Sequence, residues 1–363
     1  MQQRVVSLDF LRGLAALAVI IWHWNWLNFD PATGKLVLPS ADQLPIPFLL
    51  YPIYKIGYLA VDLFFAISGF VFFHMYGERL THGEITAREF WWNRFTRLYP
   101  LHFVTLLLVA ALQSIYYTQH SVYFVYPDNT LAMFGLQIFM ASNWMPEWPF
   151  SFNGPIWSVS IEILLYALFF VLARRGLATP WSAVVIVLLG SFLIAHAYLL
   201  GRGVTAFFIG ALCFFTFKTR RNFPKLAVAL AGAGCIQVIY SGMPVRDAAV
   251  VIVGAPVALL VLSFGERFSK IIVSKLAWLG DISYSSYLLH FPMTLALVTF
   301  GVTPNLHSGG QLIAYIAGVI SLSLICFHCF ERPVQNMLRG LSQWTEARFL
   351  RIPGMSWTNV RRG

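Results

Sequence analysis

The chain has 363 residues, of which 58% are hydrophobic and 11% are charged, and its mean hydropathy is +0.69. This composition excludes an ordinary soluble domain, because about a quarter of the residues in such domains are charged. In a soluble protein the formal net charge of +10 would suggest nucleic-acid binding, but in this apolar chain we predict no nucleic-acid partner. We predict an all-α, polytopic integral membrane protein embedded in the lipid bilayer.

About ten transmembrane helices are predicted, because ten stretches are apolar and long enough to cross a hydrocarbon core about 30 Å thick, which takes about 20 helical residues. The short turn at Gly201 and Gly203 makes the ends of the fifth to eighth helices the least sharply defined. The predicted spans are 7–28, 52–76, 98–118, 155–173, 181–199, 203–218, 225–241, 247–264, 278–300 and 310–330.

The basic residues are distributed unevenly between the two sides of this predicted topology. The side opposite the termini holds four of the 25 Lys and Arg residues, and the other 21 lie on the side of both termini. Since positively charged loops stay in the cytoplasm, both termini are predicted to be cytoplasmic. The four residues on the other side are Lys35, Lys55, Arg202 and Arg246.

The first predicted span, Ser7–Leu27, carries Arg12 and His23 within an apolar run. Eleven helical steps turn through about 1100°, so both side chains lie on one face, with a rise of roughly 16 Å between them. We expect this face to form a path for a reactant across the membrane. No small-residue cleavage site follows Ile21, so we predict a retained span rather than a secretory signal.

Three tryptophans near the end of this span, Trp22, Trp24 and Trp26, are typical of the outer membrane interface. Stacking of these indoles on a sugar ring would explain the same residues. In the long loop between the third and fourth spans, the segment 131–141 is too short to cross the bilayer, so we expect it to lie along the surface or to re-enter.

Several ionisable residues fall inside predicted spans, where a charge costs at least about 2.5 kcal/mol and so tends to mark a functional path. Asp62 and Ser68 lie in the second span, and an ion pair with a neighbouring helix is an equally good explanation of Asp62. Glu162 in the fourth span is predicted to reach the depth of His23. A carboxylate at that depth would orient the imidazole and raise its basicity.

Before the third span, the segment that contains Arg88, Arg94 and Arg97 is predicted to be a cytoplasmic loop. These arginines fit ordinary binding to anionic headgroups, worth about 1 kcal/mol each. However, Arg97 and Arg12 are predicted at the same depth, and guanidinium groups suit bidentate phosphate recognition. Together they predict a phosphate-binding mouth below the face of His23.

The cysteines are predicted to lie within spans, which argues against a disulfide framework. Cys326 and Cys329 have C-x-x-C spacing with His328 between them, so zinc or redox chemistry is an alternative. Because no second pair of ligands accompanies this turn, packing is the favoured explanation, and no metal site is predicted.

Six motifs, in order along residues 7–335, resemble those of the acyltransferase family 3 membrane proteins. This resemblance covers nearly the whole chain. The motifs are LDFLRGLAALAVIIWH, VDLFFAISGF, RFTRLYPLH, IWSVSIEILLY, LGDISYSSYLLHFP and FERP.

The resemblance implies an O-acyltransferase that takes an acyl group, usually acetyl, from cytoplasmic acyl-CoA and places it on a hydroxyl of a cell-surface or exported glycan. Acyl-CoA would be a co-substrate rather than a permanently bound cofactor, and the acceptor a carbohydrate such as lipopolysaccharide or exopolysaccharide. The implied location is the bacterial cytoplasmic (inner) membrane. A homo-oligomer is compatible with the sequence.

Site residues follow from the matching motifs. Ile163 stands where many family members have a second acidic residue, which weakens any mechanism with two carboxylates. The implied catalytic residues are His23 and Glu162, and the implied coenzyme-binding residues are Arg12, Arg94 and Arg97. The predicted substrate-binding residues are Asp62, Ser68, Trp157, Tyr287 and His290.

In the predicted mechanism, His23 removes the proton from the acceptor hydroxyl as that oxygen attacks the thioester, and Glu162 orients the imidazole. A covalent acyl-histidine relay is the open alternative. Tyr284, Tyr287 and His290 recur at three-residue intervals, so they would line the same cavity or form an aromatic packing stripe.

The predicted domains are a membrane acyltransferase domain, 1–335, and a basic cytoplasmic tail, 336–363. Because this tail is short, we expect acceptor recognition to rest on span ends and outer loops. A transporter or exporter of a glycan or glycolipid is the alternative function, but the inverted repeat that it predicts is not found. The sequence also lacks a phosphate loop and a GxSxG elbow, so we expect chemistry of the membrane type.

Overall fold

The computed structural model describes residues 5–40, 42–219, 270–302 and 304–349, and this part of the chain is almost entirely helical. The predicted seventh and eighth spans, 225–241 and 247–264, lie outside the described residues. Short 3₁₀ or π turns join α2 to α3, α3 to α4 and α13 to α14. The helices are α1 Val6–His23, α2 Pro47–Ile56, α3 Ala60–Phe72, α4 Glu78–Thr81, α5 Ala87–His120, α6 Leu131–Ile138, α7 Ile156–Arg174, α8 Pro180–Leu193, α9 Tyr198–Thr219, α10 Lys270–Leu276, α11 Trp278–Asp281, α12 Ser283–Thr299, α13 Gly309–Cys326 and α14 Arg332–Phe349.

Two-residue strands form the only sheet in the described part of the chain. β1, Phe29–Asp30, pairs antiparallel with β2, Lys35–Leu36, in the loop that follows α1. The prediction of an all-α fold is therefore confirmed for the body of the protein. The segment predicted to be too short to span forms α6, which has eight residues.

Among the described residues, six helical segments are long and apolar enough to cross a membrane. A seventh apolar helix, α8, has only 14 residues. This pattern is that of a multi-pass membrane protein, as predicted. The six segments are Val6–Asn28, Pro47–Thr81, Ala87–His120, Ile156–Arg174, Tyr198–Thr219 and Gly309–Leu341.

The predicted loop before the third span is wrong, because α5 already begins at Ala87 and carries Arg88, Arg94 and Arg97. A reciprocal capping box starts this helix: the Thr86 hydroxyl accepts from the Glu89 backbone N–H at 3.1 Å, and the Glu89 carboxylate accepts from that of Thr86 at 2.8 Å. Such a cap satisfies N–H groups that a helix start leaves unpaired. Hydropathy located only the apolar part of the helix.

The turn between the fifth and sixth predicted spans also lies elsewhere. It falls between Leu193 and Tyr198, whereas Gly201 and Gly203 are inside α9. A Cβ at Gly201 would overlap with the backbone of Ile194. The glycine is therefore required by the close approach of α8 to α9 and does not mark the turn itself.

Helices α3 and α9 form the closest interhelical contact of the core. A Cβ at Gly69 would overlap with the carbonyl of Phe207, and a Cβ at Gly210 would overlap with that of Ala66. The two backbones therefore touch, as they do where small residues line the interface of membrane helices.

Replacing Gly210 by valine is expected to destabilise the protein by about 1–3 kcal/mol or more, because overpacking here displaces backbone rather than a flexible side chain. Thermal unfolding in detergent measures the effect. Gly77→Ala is the control, since a Cβ at Gly77 has no neighbour within 4 Å. Equal unfolding temperatures for the two variants would contradict the α3–α9 packing.

Helix α1 is packed against α2, α3, α11 and α12, so the face that carries Arg12 and His23 is directed into the protein. The tryptophans that follow are more buried than interface anchors would be. Trp24 is fully buried and donates to the carbonyl of Leu306 at 3.1 Å, and Trp26 is also buried. The interface prediction is wrong for these two indoles, because they pack against neighbouring helices.

Candidate active site

A cavity of about 360 Å³ lies among α1, α3, α5, α7, α12 and α14. Four guanidinium groups line it, and one carboxylate, Glu162, accompanies them. Three of the four were predicted to bind the coenzyme, and the structure brings these three together. The four arginines are Arg12, Arg94, Arg97 and Arg339.

The side chain of Arg12 is held by the helices opposite α1. Its Nε donates to Ser283 Oγ at 3.2 Å, and its Nη2 donates to the carbonyl of Gly280 at 3.0 Å. A looser ion pair with Asp9 has a separation of 3.8 Å. These contacts hold the guanidinium beside the cavity. Helices α1 and α11 are in direct contact there, since a Cβ at Gly280 would overlap with the backbone of Asp9.

The guanidinium of Arg94 lies in an aromatic cage. It donates to the hydroxyl of Tyr76 at 2.5 Å and is 5.0 Å from the ring centre of Phe72 and 5.9 Å from that of Tyr166. Its buried Nε has no hydrogen-bond partner among the described residues. Arg97, one helical turn further along α5, lines the same cavity. This cluster therefore retains donors for an anionic ligand.

Aromatic and hydroxyl groups form another part of the cavity wall. Of the three residues predicted to line a cavity or form a packing stripe, Tyr284 and Tyr287 line this cavity and His290 does not. Tyr287 and Ser158 are joined by a hydrogen bond of 2.9 Å between their hydroxyls. The Tyr284 hydroxyl donates to the carbonyl of Leu98 at 2.6 Å.

Next to Tyr287, two buried histidines stack on each other. The ring centres of His23 and His290 are 4.7 Å apart at an interplanar angle of 25°, and Trp26 lies 3.6 Å from His23. Tyr287, at the cavity wall, is 5.9 Å from His290. The residues therefore form a continuous series from the arginine cavity through Tyr287 and His290 to His23.

Both imidazoles retain hydrogen-bonding capacity. His23 Nδ1 and the two ring nitrogens of His290 are buried and make no hydrogen bond of normal geometry within the described ranges. A buried polar atom without such a bond costs about 1–3 kcal/mol, which is an unfavourable arrangement for residues that serve packing alone. The histidine pair can therefore accept or donate a hydrogen bond to a further group.

Glu162 is placed differently from its predicted contact with His23. It accepts a hydrogen bond from Ser68 Oγ at 2.6 Å, and both residues line the arginine cavity. No hydrogen bond or ion pair joins Glu162 to His23 in the described part of the chain, where His290 is the neighbouring imidazole. Counting residues fixes the depth of a side chain in a span, but not the neighbour that its helix face meets.

Asp62 forms a buried ion pair with Arg202. The Arg202 Nε donates to Asp62 Oδ1 at 3.1 Å and its Nη2 donates to Oδ2 at 2.5 Å, with the two side chains 4% and 1% exposed respectively. Trp157 lies 5.6 Å from the same guanidinium. Neither Asp62 nor Trp157 lines the cavity. This placement favours the ion-pair explanation of Asp62 over contact with a substrate.

Arg339 is the site residue that the sequence did not predict, because it was placed in a basic tail. Its helix, α14, continues from the last span through a π turn at Phe327–Glu331. A sequence signal was available: Pro333 lies in the first turn of α14, where proline is tolerated, and no glycine follows until Gly340.

The C-x-x-C pair does not form a disulfide. Cys326 and Cys329 are free thiols, the first partly buried and the second exposed. No group of three or more metal-ligating side chains is found among the described residues. Cys213 is a buried free thiol, and Cys235 lies outside the described ranges.

Three curated proteins illustrate what the chain is similar to. "Protein 2 in picA locus" of Rhizobium radiobacter is 40% identical over 110 residues, which are 30% of this chain and 46% of that protein. "Acyltransferase MdmB" of Streptomyces mycarofaciens is 33% identical over 46% of this chain and 38% of its own length. "Peptidoglycan O-acetyltransferase OatA" of Listeria monocytogenes is 25% identical over 92% of this chain and 56% of that protein.

The chain thus spans between about two fifths and somewhat over half of the length of these curated relatives. No solved structure matches. Residues 5–329 match the acyltransferase 3 family, described as an acyltransferase domain, so the match includes Arg12, His23, Arg94, Arg97 and Glu162. The chain therefore belongs to the acyltransferase 3 family of membrane proteins.

Proposed function

We propose that the protein is a membrane-bound O-acyltransferase. It moves an acyl group, which we propose to be acetyl, from cytoplasmic acyl-CoA to a sugar hydroxyl of a cell-surface or exported glycan. The proposed location is the bacterial inner membrane, with both termini in the cytoplasm. One observation carries the proposal: a cavity lined by arginines leads through Tyr287 to the stacked pair of His290 and His23.

The arginine end of the cavity suits the phosphates of coenzyme A. Four guanidinium groups face one carboxylate, and charge of one sign within a membrane domain is costly unless an anion neutralises it. Guanidinium forks bind phosphate oxygens in pairs. The apolar wall formed by Phe64, Ile67 and Val71 then suits the pantetheine arm, which is uncharged.

The histidine end suits proton removal. A neutral imidazole has its pKa close to that required of a base near neutral pH. We assign this role to His23: it accepts the proton of the acceptor hydroxyl while the hydroxyl oxygen attacks the thioester carbonyl. The C–S bond then breaks, and the leaving thiolate of coenzyme A takes the proton from the His23 imidazolium, which restores the neutral base.

Glu162 is assigned to the cavity and not to the His23 ring. The hydrogen bond that it accepts from Ser68 holds the carboxylate in the arginine cavity, where it interacts electrostatically with the guanidinium groups. A single negative group among four positive groups lowers their mutual repulsion before the donor binds. We therefore propose that Glu162 keeps the arginines of the donor site in place and that Ser68 positions the Glu162 carboxylate.

The relatives support this class of reaction. Two of them carry the printed names acyltransferase and O-acetyltransferase, and the second acts on peptidoglycan by its name. A carbohydrate acceptor is therefore the proposed partner of this chain. The alternative, a glycan exporter, would need no donor site of this kind.

Transfer of radiolabel from acetyl-CoA tests the proposal. Membranes that contain the protein are expected to transfer labelled acetyl to their glycan fraction, whereas membranes without it are not. Labelled succinyl-CoA provides a second donor. Absence of transfer from both donors, combined with glycan export that depends on the protein, would contradict the acyltransferase proposal and favour the exporter.

A further inference from the structure

A second cavity of about 430 Å³ adjoins the first, and Arg12, Arg97 and Arg339 line both. Its remaining wall comes mostly from the region of the last span and α14, including Arg332 and Asn336. The cationic groups therefore extend through two connected spaces. A ligand that carries anionic groups at two separated positions fits this arrangement better than a ligand with a single phosphate.

The charges that face the second cavity are mainly positive. Four arginines line it together with Asp281 and Glu331, and Glu331 accepts a hydrogen bond from Ser285. The indole of Trp278, also in the wall, is 40% exposed. Exposed aromatic faces stack on nucleobases, so the wall combines phosphate-binding and base-binding groups.

Arg339 lies where the two cavities meet. Trp92 Nε1 donates to the carbonyl of Leu338 at 3.3 Å, which fixes this part of α14 against α5 and so places Arg339 beside Arg94 and Arg97. The guanidinium of Arg339 lines both cavities, and its buried Nε has no hydrogen-bond partner among the described residues. The group is therefore placed to meet an anionic ligand in either cavity.

We propose that the second cavity holds the 3′-phosphorylated nucleotide end of the acyl-CoA donor, and that Arg339 binds its 3′-phosphate. The pyrophosphate then lies near Arg12 and Arg97 at the junction, and the pantetheine arm extends into the first cavity. Arg339 lies beyond residues 5–329, which match the family, so the chain would supply this contact from outside the matched domain. The inference rests on the proposed acyl-CoA donor.

A thermodynamic cycle tests the inference: the Arg339 side chain and the 3′-phosphate of the ligand are removed singly and together. Binding of acetyl-CoA and of acetyl-3′-dephospho-CoA is measured on the purified full-length protein and on Arg339→Gln. We expect Arg339→Gln to weaken acetyl-CoA binding by about tenfold or more, because a charge-assisted hydrogen bond is lost. Binding of the dephosphorylated donor, which lacks the partner group, should change less than threefold.

Two further variants control for folding and for general charge. Arg339→Lys retains the positive charge and is expected to restore part of the affinity for acetyl-CoA. Arg175→Gln removes an exposed arginine that lines neither cavity, and it should leave both affinities unchanged. Unfolding temperatures show whether each variant is folded.

The outcomes separate this inference from the proposed function. Equal losses for the two donors in Arg339→Gln, or no loss for either, would overturn the assignment of the 3′-phosphate to Arg339 while leaving acyl-CoA as the donor. If the unmodified protein binds neither donor, the proposed function itself is overturned, and this inference with it. A selective loss for acetyl-CoA supports both.

Discussion

Replacing His23 by alanine is expected to reduce acyl transfer by about 10²–10⁴-fold, the usual contribution of a general base. Donor binding should stay within about threefold of the unmodified protein, because His23 does not line the arginine cavity. The initial rate of acetyl transfer and the affinity for acetyl-CoA, measured on the same preparation, separate chemistry from binding.

His82→Ala is the matched control for this experiment, since His82 is exposed and lies in a turn remote from the cavity wall. It should transfer acetyl at the unmodified rate. His290→Ala is expected to fall between the two, because His290 stacks on His23 and lies between it and Tyr287. A fully active His23→Ala protein would show that another group removes the proton.

Replacing Asp62 by alanine is expected to destabilise the protein by about 3–5 kcal/mol, because the buried guanidinium of Arg202 would lose its counter-charge. The double variant Asp62→Leu with Arg202→Met removes both charges. It should recover most of the lost stability, since apolar replacements of a buried pair are often neutral or stabilising. Thermal unfolding in detergent measures all three proteins.

The exposed pair of Lys218 and Glu78 provides the comparison. Its side chains are 52% and 67% exposed, so Glu78→Ala should cost less than about 1 kcal/mol. If Asp62→Ala were as mild as Glu78→Ala, the ion pair would not be the structural element described above. If Asp62→Ala instead abolished transfer without destabilising the protein, Asp62 would contact substrate, as the sequence first suggested.

Much of the fold is predictable from the sequence because membrane helices must form their backbone hydrogen bonds internally and lie in the apolar core of the bilayer. Hydropathy alone located α1, and its period placed Arg12 and His23 on one face of it. The depth of a residue in a span follows from its position along the helix. Arg97, which was predicted at the depth of Arg12, lines the same cavity as Arg12 even though its helix was mistaken for a loop.

The neighbours of each residue are harder to predict, because they depend on how helices rotate and pack. Glu162 meets Ser68 and the arginine cavity instead of His23. Arg202 was predicted in an outer loop, yet it lies inside α9 and pairs with Asp62. The difference at Glu162 arises from the facing of helices, on which hydropathy gives no information in a span that is apolar all round. The difference at Arg202 arises from the position of the turn between α8 and α9.

The proposed donor site could not be predicted in full from the sequence, for a different reason. Arg339 follows the last apolar stretch, where the composition is basic and suggests a solvated tail. It lies in the cavity wall because α14 continues from the last span and packs against α5 through Trp92. Charge composition separates the two sides of a membrane, but it does not separate a tail from a cavity wall.

We propose that the donor enters from the cytoplasm at the arginine cavity and that its acyl group passes to an acceptor at the His23 end. Sealed vesicles of opposite orientation test this most directly, because acetyl-CoA is charged and does not cross the bilayer. Inside-out vesicles, which expose the cytoplasmic face, should transfer labelled acetyl to glycan, while right-side-out vesicles and inside-out vesicles with His23→Ala should not. Equal labelling in both orientations, or full labelling by His23→Ala, would contradict the account.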